Sequence, residues 1–357
     1  MTLLINVDDA QKVLGAKETI EALYSAFLEE AMGSAVNRNK SNIHIPTDEE
    51  GYWYRFSTME GGLKEMGVVA IRLKSDICSW PVKEGKMRDA WHSVRPGKYG
   101  GLILLYSAKN GELLAILNDG YIQHMRVGAT AALGAKYSAR EDCEELGILG
   151  SGGMAEAHAL CFAQVRPLQR IKVYSPNRTN REHFAQRMSG LLGIEVQPVS
   201  EPYAAVENCN LVCCCTDAVD PVYLKTWVHP GLHLTVVHHS ELEPSAYGDF
   251  DRCIRYWSGT NLHLFTTPET QRPPRLGGSG KETANLDFSF KEKTVLLPDV
   301  LAGKAQGRLN DEEVTFFISE GTGVQFAATS LRTYELALKN QIGRELPTDW
   351  FLQDVRN

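Results

Sequence analysis

The stretch Leu146-Gly147-Ile148-Leu149-Gly150-Ser151-Gly152-Gly153-Met154-Ala155 decides the fold that this sequence predicts. Its first four residues form an apolar run typical of a buried strand, residues 154–165 are predicted to form a helix, and residues 171–174 form a second strand-like run. This order predicts a βαβ unit. The turn between its first strand and its helix fits the dinucleotide-binding pattern G-x-G-x-x-A.

Each small residue of this turn has a physical role. Gly150 permits a tight turn, Gly152 lets the backbone approach a pyrophosphate, and Ala155 lets the helix lie close to the strand. The free N–H groups and the positive dipole end of the helix then attract the phosphates. We therefore predict that a dinucleotide contacts Gly150, Ser151, Gly152, Gly153 and Met154.

The end of the second strand distinguishes NAD from NADP. NAD sites usually place Asp or Glu there to accept from the ribose 2′-hydroxyl, but residues 174–181 read YSPNRTNR and contain no acid. Ser175 can hydrogen-bond a 2′-phosphate, and Arg178 or Arg181 can pair with its charge. The sequence favours NADP, with NAD as the alternative, and Asn177 is added to the predicted cofactor contacts.

Outside this unit the sequence shows two kinds of secondary-structure pattern. Strand-like runs at 211–215 and 232–237 continue the alternation of strands and helices, which predicts a parallel sheet covered on both faces. The N-terminal part predicts a helix over residues 8–32, strands over 52–56 and 68–73, a loop over 79–101, and a hairpin around Asn110-Gly111. Residues 324–339 predict a last helix, and residues 266–291 predict a long loop, either a lid over a site or a surface insertion.

Composition excludes several classes of protein. A length of 357 residues predicts two or three domains, and the net charge of −7 argues against nucleic acid as a partner. The N-terminus resembles neither a signal peptide nor a membrane anchor. Eight scattered cysteines without a C-x-x-C pair indicate a reducing compartment, which predicts a cytoplasmic protein. Cys213, Cys214 and Cys215 alternate faces on one strand, so we predict no metal site.

Several motifs together resemble those of the ornithine cyclodeaminase/mu-crystallin family. The motifs are Met125-Arg126-Val127-Gly128-Ala129, the stretch 149–155, Pro298-Asp299-Val300-Leu301-Ala302-Gly303 and Phe317-Ile318-Ser319-Glu320-Gly321-Thr322-Gly323. The resemblance implies an α/β fold in which a Rossmann doubly wound parallel sheet, residues 126–309, is inserted in an α+β substrate-binding and dimerisation domain, residues 1–125 and 310–357. It also implies a homodimer, a substrate facing the nicotinamide between the domains, and cofactor contacts from Thr216 and Ser319.

The departures from the family pattern concern the substrate site. A family arginine falls at Asn42, a family lysine at Arg72, and two motif threonines at Gln123 and Val127. The Asp that cyclodeaminases carry after the fifth strand falls at Ser240, which follows His238 and His239. A serine hydroxyl carries no charge at neutral pH, so ornithine cyclisation is not expected.

Two cations are the predicted core of the substrate site. Arg72 and Lys74 alternate with Leu73 along a strand and therefore project from one face. A substrate carboxylate would neutralise them, with Arg126 as a third donor; the alternative is pairing with Asp76, Glu60 or Glu65. Gln123 and Ser240 complete the predicted substrate contacts.

The catalytic prediction requires a proton donor. Arg72 keeps its proton in proteins and can only orient and neutralise. The predicted proton donor is then Lys74, or one of the two histidines His238 and His239.

These features favour an NADP-dependent oxidoreductase that reduces an imino or keto acid, or oxidises the corresponding amino acid. Two alternatives stay open at this point. One is an ornithine-cyclodeaminase-type lyase, and the other is a crystallin-like protein that binds NADPH and a small ligand without catalysis.

Overall fold

The structure is a computed structural model that describes residues 1–83, 86–256, 261–272 and 293–355. The strands are β1 (Thr2–Ile5), β2 (Ala35–Asn37), β3 (Ser41–Pro46), β4 (Trp53–Leu63), β5 (Val68–Ser79), β6 (Val82–Lys83), β7 (Lys86–Met87), β8 (Ala90–Ser93), β9 (Arg95–Pro96), β10 (Gly100–Ser107), β11 (Leu113–Asn118), β12 (Glu145–Leu149), β13 (Arg170–Tyr174), β14 (Glu195–Pro198), β15 (Leu211–Cys214), β16 (His233–Val236), β17 (Arg252–Arg255), β18 (Leu262–Phe265), β19 (Thr294–Leu296), β20 (Thr315–Ile318) and β21 (Arg344–Leu346). The helices are α1 (Val7–Val13), α2 (Ala16–Ala31), α3 (Gly120–Ser138), α4 (Gly153–Phe162), α5 (Arg178–Leu192), α6 (Pro202–Val206), a short helix Leu297–Leu301 and the closing helix Gly323–Asn340.

The first sheet is mixed and runs in the order β18-β3-β4-β5-β10-β11-β1-β21. Its long strands β4 and β5 are antiparallel neighbours, and side chains of β4 alternate between buried and half-buried along its whole length. The buried face of this sheet packs against the closing helix, where Gly61 and Gly323 bring the two backbones into close approach. This face therefore points into the molecule, toward the second sheet.

The second sheet confirms the predicted Rossmann architecture. Its order is β14-β13-β12-β15-β16-β20-β17-β19, and every neighbouring pair is parallel. The strand order reverses beside β12, the strand that precedes the glycine-rich turn. Ligands bind at the carboxyl ends of the strands at such a reversal.

The predicted domain division stays a prediction, and two features of the structure bear on where its boundary lies. Thr315–Ile318 lies inside the second sheet between β16 and β17, so an end at residue 309 would remove a central strand. Helix Gly120–Ser138 also runs without a break across the predicted join at 125/126. The glycine-rich motif locates the nucleotide turn. No motif indicates that residues 315–318 form a strand of the same sheet.

Two local predictions were wrong. The single helix over residues 8–32 is broken into α1 and α2, because Leu14 is extended and Gly15 forms a new N-terminal cap. The predicted loop 79–101 contains the short strands β6 to β9. The hairpin around Asn110-Gly111 is confirmed by the antiparallel pairing of β10 with β11. The predicted loop 266–291 lies outside the described residues from Pro273 onward.

No helix in the described ranges has the length and apolar character needed to cross a membrane.

Candidate active site

The predicted cofactor residues lie at one edge of the second sheet. Gly150 follows β12, Ser175 follows β13, Thr216 lies just beyond β15, and Ser319 directly follows β20. Because all these strands are parallel, their carboxyl ends meet at the same edge. The sequence prediction therefore selected residues that the fold brings to one side of the molecule.

The glycine-rich turn has the geometry that a dinucleotide needs. Gly150 has φ 119°, and a Cβ added there would lie 2.3 Å from the carbonyl oxygen of Cys215, so only glycine fits. Helix α4 begins at the next turn with Gly152 as its cap and with no side chain bonded to its first N–H groups. A Cβ at Gly152 would meet no heavy atom within 4 Å, so a ligand has room to approach.

The turn after β13 leaves its basic side chain exposed. Ser175 is buried and its Oγ donates to the carbonyl of Asn177, 3.3 Å away. Asn177 caps α5, and Arg181 donates to the carbonyl oxygen of Ser175. Arg178 is 79% exposed and pairs with Glu182 one turn later. Of these two arginines, Arg178 is the more exposed, and it could exchange Glu182 for a 2′-phosphate.

A buried carboxylate organises the loops after β15 and β16. Glu241 accepts hydrogen bonds from the backbone N–H and Oγ1 of Thr216, at 2.6 and 2.8 Å, and from the N–H groups of Val237 and His238. Burial raises the pKa of Glu241, which its hydrogen bonds partly oppose. This carboxylate is directed at the backbone, so it does not take the place of the acid that Ser240 replaces. Ser240 itself donates to the carbonyl of Ala218.

The Oγ of Ser319 is a buried polar atom that has no hydrogen-bond partner among the described residues. A buried hydroxyl without a partner is costly. It lies at the sheet edge that carries the glycine-rich turn, where the carboxamide of a nicotinamide is a fitting partner.

Arg126 is a buried guanidinium with neutral partners. Its Nη1 donates to Oε1 of Gln325 at 2.8 Å, and its Nη2 donates to Oε1 of Gln123 at 2.9 Å. Within the described part of the chain it forms no ion pair. Burial, and secondly repulsion by Arg72, lowers the pKa of Arg126 to about 9. A guanidinium keeps its proton in proteins, so a positive charge is held here without a counter-ion.

Arg72 is close to Arg126 but has its own carboxylate. Its Nε and Nη2 donate to Oδ2 of Asp119 at 2.7 and 2.6 Å. Both guanidinium groups lie near the ring of Phe326, at 5.4 Å for Arg72 and 4.9 Å for Arg126. In the structure the charge of Arg72 is paired with Asp119, and its contact with a substrate carboxylate stays a prediction. Arg72 and Lys74 share a face as predicted, but they do not share one anion.

Lys74 follows the alternative that the sequence left open and pairs with Asp76. Its Nζ lies 2.8 Å from Oδ2 of Asp76, which also binds Arg55 at 3.0 Å. Trp91 covers both cations, with its ring centroid 3.6 Å from Cζ of Arg55 and 4.4 Å from Nζ of Lys74. Burial lowers the pKa of Lys74 to about 8, with Asp76 opposing and Arg55 adding to the fall. Such a lysine can release a proton near neutral pH.

The segment between β5 and β10 joins the two sheets above this cluster. Arg88 forms a β-bridge with Ala218, in the loop that follows β15. Tyr99, from the same segment, lies 5.1 Å from Nζ of Lys74. Burial raises the pKa of Tyr99, and the charges of Asp76 and Asp217 raise it further. A Cβ at Gly321, which follows β20 of the second sheet, would lie 2.7 Å from Nη1 of Arg126. This cation therefore borders the strand ends of the second sheet, and we call the junction between them the cleft.

A family model for the "ornithine cyclodeaminase/mu-crystallin family" matches residues 92–341. The chain belongs to this family.

Relatives of known name extend the match across the chain. It is 23% identical over 351 residues to a delta(1)-pyrroline-2-carboxylate reductase of Bacillus cereus, covering 96% of this chain and 99% of that one. It is 25% identical to the ketimine reductase mu-crystallin of Macropus fuliginosus, over 65% of this chain and 68% of that one. The Thermococcus litoralis delta(1)-pyrroline-2-carboxylate reductase, solved with NADH and L-proline, superposes with a TM-score of 0.77 at 24% identity, covering 97% and 100% of the two chains.

As a member of this family the chain has a site that sequence reasoning only partly found. It missed Asp119, Gln325 and Trp91, which contact the predicted cations, and two further cations of the same sheet face, Arg55 and Lys40. Arg55 could have been recognised from the local sequence, because it alternates with apolar residues in a strand. Asp119 and Gln325 had none, because they contact the cations across 47 and 199 residues of sequence.

His239 remains an untested candidate for proton transfer. It begins a short 3₁₀ turn after β16 and is half-buried, while His238 before it is exposed. Its carbonyl accepts from the hydroxyl of Tyr247. Among the described residues, no group of three or more His, Cys, Asp or Glu side chains is arranged to hold a metal ion.

Proposed function

We propose that this protein is an NAD(P)H-dependent oxidoreductase that reduces an imino or keto acid, or oxidises the corresponding amino acid. One observation carries the proposal: Arg126 is a buried guanidinium without an ion pair in the described part of the chain, on the helix whose His124 ring lies against Gly153 of the glycine-rich turn. A carboxylate is the group that satisfies such a cation. The family's named relatives include reductases and dehydrogenases that fit this chemistry.

The cofactor fits the residues present. The open backbone at Gly152 and the N-terminus of α4 would hold the pyrophosphate, and the Oγ of Ser319 would hydrogen-bond the nicotinamide carboxamide. When bound, the reduced nicotinamide supplies a hydride for an sp² carbon. Thr216, fixed by Glu241, closes the site on the side of the nicotinamide ribose.

The chain's own residues then orient the substrate and supply the proton. Arg126 binds the substrate carboxylate, and Gln123 keeps the guanidinium in place. Arg72 is a positioning residue, because its ion pair with Asp119 fixes its guanidinium beside that of Arg126. Lys74 Nζ donates the proton to the substrate nitrogen or oxygen, with His239 as the alternative donor.

We further propose NADP as the preferred cofactor and NAD as a possible one. Support comes from the buried Ser175, the capping Asn177 and the exposed Arg178 at the end of β13. No acid between residues 174 and 181 could accept from a ribose 2′-hydroxyl.

A homodimer is supported by the outer face of the first sheet. Side chains that alternate with the site residues emerge there and are apolar and exposed, among them Ile43, Ile45, Leu102, Leu262 and Leu264. A contiguous apolar sheet face of this kind marks an interface with another chain. We also propose a cytoplasmic location, since all eight cysteines are free and buried.

The test is a screen of imino, keto and amino acids that follows NADPH absorbance with the purified full-length protein. We expect oxidation of NADPH with at least one carboxylated imine or ketone, and its loss in Arg126→Met. Binding of NADPH and an acid without turnover of any acid would instead favour the crystallin-like alternative. The lyase alternative has less support, because Glu241 is engaged with the backbone and Ser240 cannot be anionic.

A further inference from the structure

The inner face of the first sheet carries polar side chains in rows across its strands. Asn42, Ser57 and Lys74 lie in one row, and His44, Arg55 and Asp76 lie in the next. These residues alternate with outward-facing ones on each strand, so all six point into the cleft. This face offers more polar groups than a single small carboxylate can contact.

Lys40 extends this face beyond the residues already assigned. It directly precedes β3, and the alternation through Asn42 and His44 places it on the same face. The charges that act most strongly on it are those of four other cations, Arg55, Arg72, Lys74 and Arg126, and no carboxylate is among them. Lys40 forms no ion pair within the described ranges, and it is half-buried.

The charges on this face do not balance. Two carboxylates, Asp76 and Asp119, form the ion pairs with its cations. The charged cations are Arg55, Arg72, Lys74 and Arg126. His44 adds none, because burial and the neighbouring His263 lower its pKa to about 4. Among the described residues these four cations exceed the two carboxylates by two, so one substrate carboxylate would still leave one positive charge. Burial and these cations lower the pKa of Lys40 well below its usual range, and an anion beside Lys40 would favour its charged form.

Polar atoms near Lys40 also lack partners. Arg55 is 8% exposed, and its Nε donates to no group among the described residues, although its Nη2 binds Asp76. Trp91 covers one side of this guanidinium, so water has little access to it from there. An unpartnered N–H of a buried guanidinium is a costly feature that an anionic ligand would remove.

We propose that the substrate is a dicarboxylic imino or keto acid, whose first carboxylate binds Arg126 and whose second binds Lys40 and the Nε of Arg55. The inference rests on the proposed function, because it assigns the substrate class of the same site. The two groups that receive the second carboxylate come from adjacent strands, β4 and the start of β3. A substrate that ends in an amide or a methyl group would leave Lys40 without a counter-ion and the Nε of Arg55 without an anionic acceptor.

The test compares matched pairs of 2-oxo acids with ammonium and NADPH: 2-oxoglutarate against 2-oxopentanoate, and oxaloacetate against 2-oxobutanoate. The variant is Lys40→Gln, and the matched control is Arg38→Gln, a cation two residues earlier that is 75% exposed and pairs with Glu60. A second readout is the binding of unreactive glutarate and pentanoate to the NADPH complex, followed by tryptophan fluorescence, for which Trp91 is a reporter beside Arg55.

We expect kcat/KM for the better dicarboxylate to exceed that of its matched monocarboxylate by about 10- to 100-fold, the range for one or two charge-assisted contacts. This ratio should fall about tenfold or more in Lys40→Gln and stay unchanged in Arg38→Gln. A wild-type ratio near one, or a ratio that Lys40→Gln leaves unchanged, would overturn the inference.

The two proposals fail in different ways. Turnover of monocarboxylates alone would uphold the oxidoreductase and reject the dicarboxylic substrate. Absence of turnover with every acid, together with glutarate binding that exceeds pentanoate binding and depends on Lys40, would reject the reaction and uphold the second carboxylate site. If glutarate and pentanoate bind alike and no acid turns over, both proposals are wrong.

Discussion

Replacement of Arg126 by methionine tests whether the buried charge of this residue is needed for substrate binding or for the stability of the fold. Methionine retains an unbranched apolar side chain and removes the guanidinium. The lowered pKa of Arg126, about 9, means that burial penalises the charged form by roughly 4–5 kcal/mol at 1.36 kcal/mol per tenfold change in acidity. This penalty is relieved in the variant.

Three losses oppose that gain. Oε1 of Gln123 loses its donor, which costs about 1–3 kcal/mol. The contact between the guanidinium and Phe326 contributes about 0.5–2 kcal/mol. Oε1 of Gln325 also loses the Nη1 of Arg126 but still accepts from the N–H of Thr322, so its cost is smaller. The terms nearly offset, and we expect the free energy of unfolding to change by less than about 2 kcal/mol.

Substrate turnover should respond very differently. One charge-assisted contact to a carboxylate contributes about 1.5–3 kcal/mol, so kcat/KM for the acid should fall about 10- to 150-fold. The assays are urea denaturation, NADPH binding and steady-state kinetics on the same preparations, with the half-buried Arg332→Met, an arginine that pairs with Glu335, as the control. A fall in unfolding free energy above about 3 kcal/mol with unchanged kcat/KM would show that Arg126 is structural, and the reasoning would be refuted.

Four further predictions concern the proton donor, the cofactor, the assembly and the reaction class. Lys74 has a pKa of about 8, so the rate of reduction should decline as pH rises through that value, and a profile in Lys74→Gln that retains this step would exclude it as the donor. Arg178→Ala should weaken NADPH binding by about 1.5–3 kcal/mol and leave NADH binding unchanged in a fluorescence titration. Light scattering at micromolar concentration should show a dimer that the double variant Ile43→Asp, Leu264→Asp disrupts; a wild-type monomer contradicts the assembly. Incubation with ornithine and catalytic NAD or NADP should yield no proline and ammonia, and multiple turnovers would reverse the assignment of reaction class.

The dinucleotide turn could be predicted because its signal is local. Gly150 needs a positive φ, and Gly152 needs space above it; both requirements restrict the residue type within a few positions of a strand end. The ends of the neighbouring strands followed from the alternation of strands and helices. Such features depend on short segments, so one sequence is enough to reveal them.

The charge pairing of the substrate site could not be predicted in the same way. Arg72 and Lys74 were recognised as two cations on one face, but a strand pattern does not say which acid reaches them. Asp119 follows β11 and approaches Arg72 only because the first sheet and α3 are assembled. Gly101 shows how close that approach is, since a Cβ there would lie 2.1 Å from Oδ1 of Asp119. The pairing is a property of the tertiary structure.

Helix α3 explains why the substrate side and the cofactor side of the proposed site are held at a fixed distance from each other. Its capping residue Asp119 binds Arg72 of the first sheet, and Arg126 in its second turn faces the substrate cleft. Two residues further, Gly128 lets α3 lie against α4, the helix that begins at the dinucleotide turn, where an added Cβ would be 2.6 Å from the backbone of Ala157. A single helix thus connects the cation that we propose to bind the substrate carboxylate to the helix that we propose to bind the phosphates. The distance between substrate and cofactor is therefore set by the backbone of α3, and the substrate class can change through the side chains of β3, β4 and β5 without disturbing it.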